Sequence, residues 1–147
     1  MSTATTVTIK RLNDAVHMEA TNETGVSLQM DGVDSIGGIN AGFRPMEMLL
    51  AAIGGCSAID VVMILGKQKQ NPNQLIVKVE GDRVDVEGAN HSAFKSIHVH
   101  FELGGAHLDE KRVARAIDLS MNKYCSVAKA LEPTSTITSS FEVISSR

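Results

Sequence analysis

The sequence predicts an α+β fold with a mainly antiparallel sheet. Apolar residues alternate with polar ones in six segments and recur with helical spacing in three others. The segments follow the order β-β-β-α-β-β-α-α-β, which shows no strand–helix–strand repetition, and turn residues separate them. At 147 residues the chain has the length of one domain, so we expect a single domain over residues 1–147.

The predicted elements follow from these patterns. The strands are residues 6–12, 16–20, 26–30, 75–86, 94–103 and 136–144, and the helices are residues 46–69, 110–123 and 126–131. The first three strands form a meander, and the next two form a hairpin. Residues 35–42 are rich in Gly and small side chains, which predicts a mobile loop.

The first helix is apolar on almost every side. It starts at Pro45, which is favoured in the first turn of a helix. Glu47, Asp60 and the Gly54-Gly55 pair indicate a buried helix of a soluble protein, so we expect no membrane partner. A sheet of one small chain cannot cover such a helix fully, which predicts an intertwined homodimer.

Composition and charge exclude several classes of function. The formal net charge is −3, there is no run of basic residues, and the aromatic residues are four Phe and one Tyr, so we expect no nucleic-acid partner. The N-terminal residues lack the pattern of a secretory signal, which predicts a cytoplasmic protein. The two cysteines are then expected to be reduced thiols.

Those cysteines are the strongest chemical candidates. Cys56 follows Gly54-Gly55, where missing side chains leave room for a substrate or another backbone to approach the sulfur. Cys125 stands at the start of a helix, where free N–H groups favour a thiolate, so local physics predicts that Cys125 is the more acidic thiol. The alternative is a pair of inert core cysteines, because free cysteine is often buried.

Two motifs carry a family resemblance. Residues 44–60, RPMEMLLAAIGGCSAID, and residues 124–131, YCSVAKAL, resemble the paired cysteine motifs of the OsmC/Ohr family, and GGCSAID resembles its YhfA-like branch. The resemblance extends over the whole chain in element order. It implies an OsmC-like fold in which a mainly antiparallel six-stranded sheet wraps around long central helices in an intertwined homodimer, with active sites at the subunit interface.

The resemblance also implies a reaction. Cys56 would attack a small hydroperoxide as thiolate and become a sulfenic acid, and Cys125 would condense with it to a disulfide. A dithiol reductant would then restore both thiols, and no metal or organic cofactor is expected. The two cysteines must therefore come within disulfide reach, with Cα atoms less than about 7 Å apart.

The family places a Glu and an Arg around the first cysteine. Met46 occupies the position of that Glu, and Glu47 is one residue later, about half a helical turn away from Cys56. Residues 12–43 contain no Lys or Arg, which leaves Arg44 as the candidate cation. Arg44 and Glu47 are thus the candidate catalytic residues beside the cysteines. The alternative for Arg44 is a solvated loop residue, and the alternative for Glu47 is an acidic residue of the kind favoured in the first turn of a helix.

Met46, the absence of Lys and Arg from residues 12–43, and Asp60 keep a second function open. Asp60 lies one helical turn after Cys56, where its carboxylate disfavours a thiolate unless another group neutralises it. A non-enzymatic binding or redox-sensing protein with this fold is the alternative to a hydroperoxide reductase.

His98 and His100 share one face of a strand and could bind a metal if a third ligand were close. The polar face of a strand explains both residues, so we expect no metal site.

Overall fold

The computed structural model describes residues 2–144, which form two compact units divided between residues 49 and 50. The first unit contains strands β1 (Val7–Arg11), β2 (Met18–Asn22) and β3 (Ser27–Met30) and a 3-10 turn (Asp34–Ile36). Helix α1 (Pro45–Lys67) starts in this unit and continues into the second. The second unit adds β4 (Gln74–Asp85), β5 (Ser92–Gly104), α2 (Glu110–Leu119), a π turn (Ser120–Tyr124), α3 (Ser126–Leu131) and β6 (Thr136–Ile144).

The strands of the first unit form the predicted meander. β1 pairs antiparallel with β2, and β2 pairs antiparallel with β3. Asn22 closes the second turn, because its side chain accepts hydrogen bonds from the backbone N–H groups of Thr24 and Val26. This turn chemistry is what the residue pattern predicted.

Asp31 fixes the segment that the sequence predicted to be a mobile loop. This buried carboxylate accepts backbone N–H bonds from Ala41, Ile39 and Gly32 at 3.1, 2.9 and 2.8 Å. The donors from Ala41 and Ile39 are the main cause that lowers the pKa of Asp31 below its ordinary value of 3.8. The sequence did not predict these hydrogen bonds, because their donors lie up to ten residues away from Asp31.

The second unit corrects the predicted sheet. Its strand order is β4-β5-β6, so the six strands within residues 2–144 form two three-stranded sheets and not one of six. β4 and β5 are antiparallel, as expected, but β5 and β6 are parallel. The two helices between β5 and β6 form the long crossover that a parallel pair requires. The sequence did not predict that β5, the two helices and β6 form one strand–helix–strand unit.

The core of the second unit lies under β5 and along one stripe of α1. Ile97, Val99, Phe101 and Leu103 alternate along β5 and are fully buried. The buried positions of α1 are Ile53, Gly54, Ser57, Val61 and Leu65. Within a single chain only this stripe of α1 is covered, so the helix is not buried on every side as the sequence predicted.

By length and composition α1 could also cross a membrane, so the absence of a membrane partner stays a prediction.

The two adjacent glycines of α1 offer a matched test of helix packing. A Cβ at Gly54 would lie 2.8 Å from Cγ2 of Val79, whereas a Cβ at Gly55 would meet no atom within 4 Å. We expect Gly54→Ala to lower the free energy of unfolding by about 1–3 kcal/mol, since the β-branched Val79 cannot move aside. Gly55→Ala should cost less, because its Cβ meets no atom of the same chain and alanine favours a helix over glycine. Urea unfolding measures both, and equal effects would contradict this packing.

The segment after β5 ends in a widened helical turn. Asp109 caps α2, as its carboxylate accepts the N–H groups of Lys111 and Arg112 at 2.8 and 3.3 Å. The sequence predicted one helix over residues 110–123, but α2 ends at Leu119 and a π turn follows. The N–H of Cys125 bonds to the carbonyl of Ser120 at 2.7 Å, five residues back. This turn positions Cys125 at the start of α3.

Candidate functional site

The two sulfurs and one carboxylate converge in the second unit. Sγ of Cys56, Sγ of Cys125 and a carboxylate oxygen of Asp60 all lie within 4.8 Å of one another. Cys56 and Asp60 are one turn apart on α1, and Cys125 precedes α3. Both cysteines are free thiols, with Cys125 buried and Cys56 partly exposed. The structure thus brings together two thiols that lie 69 positions apart in the sequence.

The residues around this site hold Asp60 in position. The hydroxyl of Ser120 donates to Oδ2 of Asp60 at 2.9 Å, and Ser120 is fully buried. Ser57 is also buried, and its hydroxyl donates a hydrogen bond to the carbonyl of Ile53 at 2.8 Å. Sequence reasoning did not identify Ser120, because its role depends on the π turn, and the sequence carries no clear signal for that turn.

Burial decides the acidity of Cys125. Its sulfur accepts the N–H of Ala128 at 3.4 Å, which lowers the pKa as the helix-start position predicted. Burial, however, is the largest effect, and together with the neighbouring Cys56 it raises the pKa of Cys125 to about 11. The prediction that the helix start makes Cys125 acidic is therefore wrong. A six-residue helix offers too small a dipole to offset the loss of solvation.

This raised pKa has a measurable consequence. At pH 7 only about one Cys125 in 10,000 is a thiolate, and that fraction grows about tenfold for each pH unit up to the pKa of about 11. We expect the thiolate absorbance near 240 nm of the Cys56→Ser variant, in which Cys125 is the remaining cysteine, to follow this rise. This reading needs no reagent to enter the buried site. An absorbance rise that is complete near pH 8.5 would contradict the effect of burial.

A cavity of about 560 Å³ opens beside the site. Asp60 lines it together with Met63, Ile64, Lys67, Gln68, Leu119 and Tyr124. Its volume is within the range of small-molecule sites. Oε1 of Gln68 is buried and has no hydrogen-bond partner among the described residues, so it is available as an acceptor. The cavity gives a small molecule with an apolar body a route to Asp60 and the adjoining sulfurs.

Arg44 and Glu47 have local partners in the first unit. The Glu47 carboxylate accepts the backbone N–H of Arg44 at 2.9 Å. With Pro45 as the first helical residue, this is the reciprocal half of a capping box, in which the third helical residue reaches back to the cap. The guanidinium of Arg44 donates to the carbonyl of Gly42 at 3.3 Å. These contacts favour structural roles, while the catalytic roles of both residues stay predictions.

The histidines of β5 lie on the polar face of the second sheet. The imidazoles of His98 and His100 both contact the hydroxyl of Ser140 at 2.7 Å, and His98 also contacts that of Thr138. His98 and His100 do not form a metal cluster together within the described residues. A ring nitrogen of His100 instead lies within 4.8 Å of carboxylate oxygens of Glu102 and Glu142. Lys78 offsets these charges through an ion pair with Glu102 at 3.1 Å.

Comparison with known families agrees with the cysteine motifs. The family model described as OsmC-like protein matches residues 37–140, which include both cysteines. The chain belongs to the OsmC-like family. Protein YhfA of Escherichia coli K12 is 44% identical over 124 residues, which cover 82% of this chain and 85% of YhfA. The resemblance to the OsmC family, including its YhfA-like branch, is therefore confirmed.

Solved structures of other proteins share the fold. A hypothetical protein from Aquifex aeolicus has a TM-score of 0.82 and 25% identity, with 99% of this chain and 100% of that chain covered. The organic hydroperoxide resistance protein OhrB of Bacillus subtilis has a TM-score of 0.64 and 15% identity, with 95% and 98% covered. At that identity the likeness to OhrB shows the OsmC-like α+β fold alone.

Proposed function

We propose that this protein reduces organic hydroperoxides and hydrogen peroxide with Cys56 and Cys125 as its redox pair. Membership of the OsmC-like family suggests a role in peroxide defence. The observation that supports the finer proposal is the proximity of the two free sulfurs, within 4.8 Å. A small movement of either side chain brings them to the bonding distance of a disulfide.

The reaction balances in two steps. The Cys56 thiolate attacks the O–O bond of the hydroperoxide, takes one oxygen as a sulfenic acid, and releases the alkoxide, which is protonated to the alcohol. The Cys125 thiol then displaces the sulfenic oxygen as water and forms the disulfide. Cys56 is partly exposed and can meet the substrate, whereas buried Cys125 needs only to reach Cys56. This difference in burial supports the roles of first and second thiol.

The surroundings suggest the substrate and the reductant. Met63, Ile64 and Leu119 give the cavity beside Asp60 an apolar lining, which suits the organic group of a hydroperoxide. A dithiol reductant is needed to return the disulfide to two thiols by exchange. We place the reaction in the cytoplasm, where such reductants keep thiols reduced.

Stoichiometric oxidation tests the proposal. Reduced protein, freed of reductant, is mixed with cumene hydroperoxide in the absence of air. We expect each chain to consume one equivalent while both free thiols disappear and the mass falls by two hydrogens. Added dithiothreitol should make the consumption catalytic. Persistence of the thiols, or a higher oxidation state of Cys56 with Cys125 still reduced, would contradict the proposed pair.

Asp60 supports one alternative, a binding or redox-sensing protein without turnover. Its carboxylate lies within 4.8 Å of both sulfurs, and a negative charge there opposes a thiolate. A sensor would form the disulfide with hydroperoxide but would not be reduced again by dithiols at a useful rate. Comparing the oxidation rate with the re-reduction rate by dithiothreitol separates the two functions.

We also propose that the protein is a homodimer joined along α1. Ile59, Val62 and Met63 are 63, 50 and 57% exposed, and helical spacing places them away from the buried stripe of α1. Large apolar side chains exposed on successive turns mark an interaction surface. A second copy of the same surface fits it, because an apolar face is complementary to itself about a two-fold axis.

Light scattering tests the dimer. At micromolar concentration we expect twice the 15.7 kDa mass of one chain. Val62→Asp should shift the equilibrium toward monomer, since it would bury an unpaired charge. Val26→Asp, at a turn position that is 66% exposed in the first unit, is the matched control and should leave the mass unchanged. A monomeric wild-type mass would exclude the dimer.

A further inference from the structure

The carboxylate beside the two thiols is not used by the proposed reaction. Hydroperoxide reduction requires two sulfurs, and a third anionic group makes their ionisation harder. Ser120 nevertheless holds the Asp60 carboxylate in this position by a buried hydrogen bond of 2.9 Å. We propose that Cys56, Asp60 and Cys125 form a binding site for Zn²⁺.

The three groups match the ligand chemistry of zinc. Zinc binds cysteine sulfur at about 2.3 Å and aspartate oxygen at about 2.0–2.2 Å, usually with tetrahedral geometry. Two sulfurs on one tetrahedral zinc are about 3.8 Å apart, so ligand atoms that already lie within 4.8 Å need to close by only about 1 Å. Thiolate ligands select zinc over magnesium and calcium, which prefer oxygen.

The neighbouring groups orient the ligands before any metal binds. Ser120 donates to Oδ2 of Asp60, and the carboxylate keeps further lone pairs for the metal. The N–H of Ala128 donates to Cys125 at 3.4 Å and fixes that sulfur at the start of α3. Such outer hydrogen bonds hold metal ligands in other proteins. The cavity lined by Asp60 provides an access route, and three protein ligands leave the fourth zinc position for water.

Zinc would compete with peroxide for the same sulfurs, and this consequence rests on the proposed function. When a hydroperoxide oxidises the zinc-bound pair, the two thiolates supply two electrons to the O–O bond. The hydroperoxide takes up two protons and becomes alcohol and water, while the sulfurs join as a disulfide. Zinc leaves as Zn²⁺, because the metal ligand is the thiolate. Metal release would therefore report the oxidation of the protein.

Cobalt titration tests the site through a signal that is independent of turnover. Metal-free, fully reduced protein is titrated with Co²⁺ as a spectroscopic substitute for zinc. We expect one equivalent per chain, a thiolate-to-cobalt charge-transfer band, visible bands of tetrahedral cobalt, and loss of both on adding zinc. Cys56→Ser should lose most of the charge-transfer band. Asp60→Asn and Ser120→Ala should keep the fold and weaken zinc binding at least about tenfold.

His100→Ala is the matched control. It removes the nitrogen from the other candidate ligand cluster among the described residues, His100 with Glu102 and Glu142, and should leave the cobalt spectrum unchanged. The inference is overturned if wild type shows no charge-transfer band, if the band survives in Cys56→Ser, or if His100→Ala abolishes binding. Hydroperoxide consumption by the metal-free wild type is measured separately. If the protein binds cobalt through sulfur but does not consume hydroperoxide, the proposed function is rejected and the metal site is kept. If it consumes hydroperoxide but shows no cobalt binding through sulfur, the metal site alone is rejected.

Discussion

Replacing Cys56 with serine is expected to lower the rate of dithiol-dependent hydroperoxide reduction by at least about 1000-fold, because a neutral hydroxyl replaces the attacking thiolate. Cys56 is the partly exposed member of the pair, so it is the sulfur that a substrate can reach. The measurement is the initial rate of cumene hydroperoxide loss with dithiothreitol in excess. The serine variant should match the rate in the absence of protein.

Cys125→Ser is the matched comparison for that experiment. It keeps the attacking sulfur, so we expect one rapid equivalent of hydroperoxide consumption per chain and then a sulfenic acid that a dimedone probe can trap. If both variants fail to consume the first equivalent of hydroperoxide, the assignment of Cys56 as the first thiol is contradicted. A rapid first equivalent in Cys56→Ser alone would reverse the roles of the two cysteines.

The largest effect on stability is expected at Phe101. This side chain is fully buried on β5, the central strand of the second sheet. Phe101→Ala should lower the free energy of unfolding by about 3–5 kcal/mol, because it removes buried area and leaves a cavity. Phe101→Leu should cost less than about 1.5 kcal/mol, since it keeps most of the volume.

Urea unfolding at a fixed protein concentration measures these losses, with the midpoint shifting and the slope unchanged. The concentration must be the same for all variants because an associated chain gains stability as its concentration rises. A loss below about 1 kcal/mol for Phe101→Ala would show that the surrounding sheet collapses into the space, which the close packing of β5 does not allow.

The sequence predicted most element boundaries because apolar alternation and turn residues mark them locally. Helix α3 and strand β6 occur at the predicted residues, with Pro133 between them, and β4 and β5 agree to within two residues. What the sequence did not predict depends on contacts between distant segments. The parallel pairing of β6 with β5 and the acceptance of Ala41 N–H by Asp31 have no local pattern.

The candidate site shows the same division. The cysteine motifs identified Cys56 and Cys125, and helical spacing placed Asp60 beside Cys56. The helix-start position of Cys125 predicted an acidic thiol, but burial, which depends on the whole unit, reversed the direction of its pKa shift. Ser120 could not be identified from sequence because a five-residue turn brings it to Asp60. The sequence correctly predicted that the N–H groups at the helix start lower the pKa of Cys125. It could not predict that burial raises this pKa by more.

The helix before the second sulfur makes its position depend on chain length as well as on residue type. Each α-helical residue rotates the chain by about 100° and advances it by about 1.5 Å, so deleting a single residue from Glu110–Leu119 would turn Cys125 away from its partner. A homologue can therefore keep both cysteines and still hold them apart. In alignments of this family, the number of residues between the cap at Asp109 and the second cysteine is as informative as the cysteine itself.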